Sequence, residues 1–410
     1  MIIRHIIYNN FSYWRFNHIR AEGSYIWDDK GNRLIDFTSG WNVTNLGWNN
    51  REVNRAMVNQ IKKNTYASMW SADPIQEELA AELIGSLPKS LTAVSRATGG
   101  TEANEQAMKT VRGFTGRKKI IGFKDTYHGE SFGTLALGYL PEYAVTKAIS
   151  PLVGGIIQID FPKEGLDEFE YALEKILAKK DVAGIVTEAS IITGWGSAYV
   201  APKGYLSLVR RLTKKYGSLL ILDEVGTGFS RCGKLFGMDL EGVVPDIVTF
   251  AKGMSNGQAT IGAMVTTEEI ARKTYDKTNL TSTFGWVPVS CAAALKTLKI
   301  HKRDKVWAGV DKKGKMMRNI IYKELKETPF FNEVRGVGLE IGLEFVTDKK
   351  TKKKNEKMVK RVLDKAFEKG LHLTGSPGDG VVQIMPPLTT PKKLLEEGLE
   401  ILTEVVKQYK

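Results

Sequence analysis

An α/β fold is what this sequence predicts: a large domain on a mostly parallel seven-stranded sheet, with a smaller α+β domain beside it. Three observations carry that expectation. From about residue 92, seven short aliphatic runs alternate with helix-patterned segments. The runs are nearly continuous in apolar residues rather than alternating, as expected of strands covered on both faces. After about residue 289 the pattern changes to helix, strand, helix and a last helix.

The elements follow in order. "GSYIWDDKGNRLIDFTSG" (23–40) places a "DDKGN" turn between two alternating runs, a hairpin signal. Strands are predicted at 92–97, 119–123, 155–160, 183–189, 219–225, 246–251 and 262–267. Helices are predicted at Glu102 to Arg112, Leu166 to Ala178 and Gly204 to Tyr216. Beyond these come helix "VSCAAALKTLKIHK", strand "EVRGVGLEIGLEF", a helix, a "MPPL" break and a closing helix. The expected division is residues 1–46 as an arm and hairpin joining the small domain, 47–288 as the large domain, and 289–410 as the small one.

Composition limits the partners. The chain has 410 residues and a formal net charge of +13. The densest basic run, "KKTKKKNEKMVKR" (349–361), has no interleaved aromatics to stack on bases, which argues against nucleic acid and for a solvated face. Two cysteines, Cys232 and Cys291, make no disulfide framework and fit a reducing cytoplasm. No run approaches the ~18 apolar residues of a membrane span, and the N-terminus lacks the pattern of a signal peptide. None of the five histidines pairs with another at ligand spacing, so no metal is expected.

Ligands of such sheets bind beyond the carboxyl ends of the strands. The buried run "LLILD" ends there on Asp223, "AGIVTE" on Glu188, and "DIVTFAK" just beyond on Lys252. A buried acid needs a cation or donors. A lysine in a dry site loses its proton more readily and can act as nucleophile or base. "RATGGTEANEQAMKTVRG" sets Gly100 and Thr101 at a helix entrance, either a phosphate seat or a plain cap formed by Thr101. "GFSRCGKL" (228–235) begins like a phosphate loop of an NTPase, but Leu235 stands where Ser or Thr would hold magnesium.

Seven stretches together resemble class III pyridoxal-phosphate aminotransferases of fold type I, in family order. They are "TGGTEANEQAMK", "TYHGES", "LLILDEVGTGFSRCGKLFG", "PDIVTFAKGMSNG", "STFGWVPVSCAAA", "VRGVGLE" and "MPPL". The likeness runs over nearly the whole chain, and its members include ω-amino acid and 4-aminobutyrate aminotransferases. It implies pyridoxal 5'-phosphate as cofactor, with Lys252 forming the Schiff base and carrying a proton. Asp223 would meet the pyridine nitrogen, and Gly100 and Thr101 the phosphate. Tyr127 and Val225 would cover the two ring faces, with His128 and Glu188 beside them. Thr283 would reach the phosphate of a neighbouring subunit, making a homodimer the functional unit. Arg335 resembles a family position near substrate, and Trp41 and Trp70 are candidate pocket aromatics.

The departures concern substrate. Glu130 stands where 4-aminobutyrate enzymes often have arginine, Gly226 where glutamine is frequent, and Gln383 where an arginine often meets substrate carboxylates; "TFxGNP" has become "TFGWVP". Three polar anchors are missing together. The expectation is therefore a transaminase taking ω-amino acids or primary amines, with pyruvate or 2-oxoglutarate as acceptor. "RGFTGR" (112–117) also resembles semialdehyde aminomutases of the same fold.

Overall fold

The computed structural model describes residues 16–68, 70–140 and 144–409. The hairpin signal becomes a three-stranded meander, β1 (His18–Glu22), β2 (Tyr25–Asp28) and β3 (Arg33–Asp36). The carboxylate of Asp28 closes its turn, accepting from the backbone N–H groups of Lys30 and Asn32.

Seven strands follow: β4 (Ala93–Ala97), β5 (Lys119–Phe123), β6 (Ile156–Ile159), β7 (Val182–Glu188), β8 (Leu219–Asp223), β9 (Ile247–Phe250) and β10 (Gly262–Thr266). All seven lie in one sheet, in the order β4-β10-β9-β8-β7-β5-β6. Pairs from β6 across to β9 are parallel. β10 is reversed, running antiparallel to both β9 and β4. Every residue of β7, β8, β9 and β10 is buried, which is why these runs carry almost no alternation.

The rest of the chain adds β11 (Phe331–Val337), β12 (Glu340–Asp348), β13 (Lys353–Lys354), β14 (Leu371–His372), β15 (Thr374–Ser376) and β16 (Val381–Ile384). The single strand expected at "EVRGVGLEIGLEF" is two: β11 and β12 pair antiparallel around Gly338, whose φ of 56° reverses the chain. β14 pairs in parallel with β3, so the N-terminal meander and the C-terminal segment share a sheet.

Two large cores result. One gathers Phe123, Phe161, Tyr205, Phe236, Phe250 and Leu222 around the seven-stranded sheet. The other joins Ile35 and Phe37 to Leu343, Phe345, Val362, Leu399 and Leu402. The helix Pro288–Arg303 buries Cys291, Ala294, Leu295 and Leu298 in the first core. The basic run crosses β13 and enters the helix Glu356–Glu368, whose exposed face is ion-paired. There Lys360 pairs with Glu356, Lys365 with Glu368, and Arg361 lies over the Tyr409 ring.

Among the described residues no helix is long and apolar enough to cross a membrane. None of their His, Cys, Asp and Glu side chains form a group that could hold a metal.

Candidate active site

Parallel register brings the strand-end groups together. Glu188 lies opposite Asp223, and Asp223 opposite Thr249, at the carboxyl ends of β7, β8 and β9. Lys252 follows Thr249 by three residues with φ 45°, a left-handed conformation that a non-glycine residue adopts at a cost of about 1–3 kcal/mol. Strain of that kind concentrates at functional sites.

An inner lobe of about 550 Å³ opens over these strand ends. Gly100, Thr101, Tyr127, His128, Glu188, Asp223, Val225 and Lys252 all line it. An outer lobe of about 580 Å³ shares Tyr127, Gly194 and Lys252 with it and is walled by Phe16, Ile26, Trp41, Trp48 and Leu363. Lys252 is the one Lys or Arg among the described residues that line the two lobes.

Asp223 is buried, with protein partners on both carboxylate oxygens. Oδ1 accepts from the Val225 N–H (2.9 Å); Oδ2 accepts from Asn104 Nδ2 (2.8 Å) and faces His128 Nδ1 at 2.7 Å. Asn104 also donates to the His128 carbonyl and accepts from the Thr249 hydroxyl, so one amide ties four segments. The neighbouring acid, Glu224, is satisfied differently. Its carboxylate accepts from the Thr227 hydroxyl and from the Gly237 and Met238 N–H groups, and burial pushes it up to about 7.

Glu188 accepts from the backbone N–H of Thr193 (2.9 Å) and from its hydroxyl, while Oε1 is buried without a partner. Burial and then the charge of Asp223 push its carboxyl up to about 7. Burial holds the Lys252 ammonium below the usual lysine range, against Glu188, Asp223 and Glu340, which act to raise it. Tyr127 is pushed up to about 12 by burial and by Glu130.

Helix Gly100–Thr115 begins at the lobe. Its cap is Gly99, with no side-chain capping bond, so Thr101 is not the cap; it sits within the first turn, where its hydroxyl accepts from the Glu130 N–H. Free N–H groups and the helix dipole there suit an anion. A Cβ at Gly99 would meet nothing within 4 Å, leaving room for one. The Nε2 of His128, like Glu188 Oε1, is buried without a partner, and both residues line the inner lobe.

Three candidates fall outside the lobes. Trp70 is 86% exposed and Thr283 is exposed as well. Arg335 is consumed by structure: it donates to the Ser197 carbonyl, pairs with Glu333 and Glu344, and stacks over Tyr199 at 4.1 Å. Four of its five N–H donors are taken by these protein partners. "GFSRCGK" opens no α-helix. It is a buried turn holding Arg231, whose guanidinium donates to the carbonyls of Leu339 and Pro386 and to Ser39 and Asn45.

The sequence matches the class-III aminotransferase family over residues 9–406. The chain belongs to that family. This aminotransferase is 33% identical over 400 residues to the acetylornithine aminotransferase of Caldanaerobacter subterraneus subsp. tengcongensis, covering 96% of this chain and 95% of the relative. It is also 33% identical to the 5-aminovalerate aminotransferase of Pseudomonas aeruginosa, over 94% and 92% of the two chains. An amine transaminase from an uncultivated Pseudomonas species, solved with PLP bound, superposes with a TM-score of 0.90 at 26% identity, over 97% and 96% of the two chains. The aminotransferase thus has the α/β architecture of PLP-dependent transaminases and catalyses amine transfer.

Against the family's frequent residues, one departure has a steric reason. A Cβ on Gly226 would lie 1.9 Å from the Thr193 hydroxyl, which fills the space a longer side chain would take. Two residues that sequence reasoning missed, Asn104 and Thr193, therefore shape the site. Asn104 had a faint signal, being one helical turn after Gly100 and on its face; Thr193 had none.

Proposed function

We propose that this enzyme moves an amino group from a primary amine or ω-amino acid to a 2-oxo acid such as pyruvate or 2-oxoglutarate, with pyridoxal 5'-phosphate as cofactor. The observation that carries the reading is that Lys252 and Asp223 bound one cavity, the lysine strained, buried and disposed to lose its proton.

The inner lobe fits the cofactor. The uncapped helix entrance at Gly99–Thr101 would hold the phosphate, and Asp223, braced by Asn104, would meet the ring nitrogen; Tyr127 and Val225 would flank the ring. Lys252 would hold the cofactor covalently. When bound, that cofactor supplies an aldehyde for amines and a ring that accepts an electron pair. Lys252 Nζ, with its charged form disfavoured by burial, takes and returns the proton at the substrate carbon. The walls of the outer lobe exclude water and seat the donor's tail.

Phe16, Ile26, Trp41, Trp48 and Leu363 make much of that wall apolar and, among the described residues, no arginine stands there, which favours a donor with an apolar tail; His18, Thr38, His372 and Thr374 are its polar positions. The homodimer belongs to the same reading, with exposed Thr283 assigned to the phosphate of the partner's cofactor. The 5-aminovalerate relative keeps ω-amino acids in the screen.

Borohydride reduction of the cofactor-loaded protein should label Lys252 and leave Lys252→Ala unlabelled; a fully labelled variant removes the assignment. Turnover of arylalkyl amines and 5-aminovalerate should require an added 2-oxo acid. Isomerisation of a semialdehyde without any acceptor would instead make it an aminomutase.

A further inference from the structure

Asp36, the last residue of β3, has no exposure to solvent and lines neither lobe, yet two residues of the outer lobe hydrogen-bond to it directly. Oδ1 accepts from the backbone N–H of Thr38 at 2.8 Å and from its hydroxyl at 2.6 Å. Oδ2 accepts from the Trp48 indole N–H at 2.7 Å and from the Ser39 N–H at 3.0 Å. Four donors thus converge on two oxygens. His372, also in the outer-lobe wall, lies opposite Asp36 in the β3–β14 pairing, and its carbonyl accepts from the Phe37 N–H at 2.9 Å.

The segment leaving this carboxylate is strained. Ser39, Gly40, Trp41 and Asn42 have φ of 43°, 61°, 68° and 63°, four left-handed residues in a row of which one is glycine. L-residues enter that region singly rather than in runs, and a run persists only where its surroundings over-determine it. The Thr38 hydroxyl, whose own hydrogen goes to Asp36, accepts from the Gly40 N–H at 3.1 Å. Arg231 donates to Ser39 Oγ at 2.9 Å. At the far end Asn42 Nδ2 donates to Glu340 Oε2 at 2.6 Å; Glu340 also accepts from Gln383, whose Nε2 meets the Thr193 carbonyl at 3.2 Å. The Trp41 indole N–H reaches that same carbonyl at 3.4 Å. What the run delivers is an indole in the wall of the outer lobe.

We infer that Asp36 is the positioning residue of the donor lobe, an assignment that rests on the donor reading of that lobe given above. From outside the lobe, one carboxylate fixes where Trp48 stands and starts the left-handed turn that presents Trp41, so that two indoles keep set places for the donor's tail. An amide cannot do this. Whichever way an asparagine side chain turns, its NH2 faces a backbone N–H of the turn, that of Ser39 on one side or Thr38 on the other.

Kinetics and amide exchange together test this. In cofactor-loaded Asp36→Asn, with pyruvate as acceptor, KM for 1-phenylethylamine should rise about tenfold, the scale of one lost hydrogen bond to a charged group. Its kcat, and KM for isopropylamine, should stay within about twofold of the parent. Asp36→Glu keeps the acceptors but displaces them by about a methylene; it should shift the same KM in the same direction, and it decides if Asp36→Asn does not fold. Asp28→Asn removes the acceptor of the β2–β3 turn, away from both lobes, and should leave both KM values in place. Hydrogen exchange of the full chain, read by mass spectrometry, should quicken by about tenfold over residues 37–48 in the Asp36 variant and hold steady over β8. A folded Asp36 variant whose two KM values rise together, or do not rise, overturns the inference and leaves Asp36 as architecture. Unmoved exchange over 37–48 overturns it too. A parent that turns over neither amine with pyruvate or 2-oxoglutarate sinks the transaminase reading instead; exchange, which needs no amine, then decides whether Asp36 holds the turn.

Discussion

Replacing Glu188 by glutamine should change how stability varies with pH by an amount the structure specifies. The native carboxyl is pushed up to about 7 by burial and Asp223, against an ordinary 4.5. That difference, 7 − 4.5, at about 1.4 kcal/mol per pH unit, is about 3 kcal/mol. The sign follows from proton counting. Between those pH values the folded protein keeps the Glu188 proton and the unfolded chain has lost it. Stability from this group is complete below about pH 4.5 and gone once pH has risen through about 7. Glutamine keeps an acceptor for the Thr193 N–H and hydroxyl but cannot titrate. The variant should therefore gain on the parent, by about 3 kcal/mol, as pH rises across that window. Glu224, Asp239 and Glu340, also raised by burial, are present in both proteins and cancel in the difference. Urea unfolding of the cofactor-free proteins, followed by tryptophan fluorescence, reads it directly; free cofactor would stabilise the folded form and obscure the comparison. A stability difference that stays flat from acid to neutral pH would refute the buried, proton-holding Glu188.

Asn104→Ala strips donors from Asp223 Oδ2 and the His128 carbonyl and an acceptor from Thr249. Asp223 Oδ2 keeps His128, so two groups are left unmet, and at about 1–3 kcal/mol each a loss of about 2–6 kcal/mol is expected in urea unfolding; a loss under about 0.5 kcal/mol would remove the bracing role. Trp41→Ala should raise KM for an arylalkyl amine about tenfold, while sparing a small ω-amino acid; equal effects on both would take Trp41 out of the donor lobe. Glu130→Gln removes the acid beside Tyr127 and should lower its phenol from about 12; ultraviolet titration against a Tyr127→Phe reference reads this, and no change would mean burial alone sets it.

Much of this was legible in the residues because the sheet is buried on both faces. Seven aliphatic runs gave seven strands, and the strand-end acids and lysine were visible as breaks in those runs. Direction was not: "GAMVTT" reads the same whichever way β10 runs, and only its pairing with β4 and β9 reverses it. The β11–β12 turn was hidden because "GVGLEIG" stays apolar through Gly338. The Asn42–Glu340–Gln383–Thr193 lattice joins residues up to 298 positions apart, which no local pattern records. Arg335 looked available to a substrate since its sequence neighbours do not reveal Glu344, which meets it across the hairpin.

The contact between the Thr193 hydroxyl and the empty side of Gly226 ties the histories of two loops together. A glutamine at 226 collides with the threonine, while trimming Thr193 first opens a hole and leaves Glu188 only the backbone N–H of residue 193 as donor. Any route by which this enzyme acquires the other arrangement must pass through both changes, and a library that varies one position at a time would score each as a dead end.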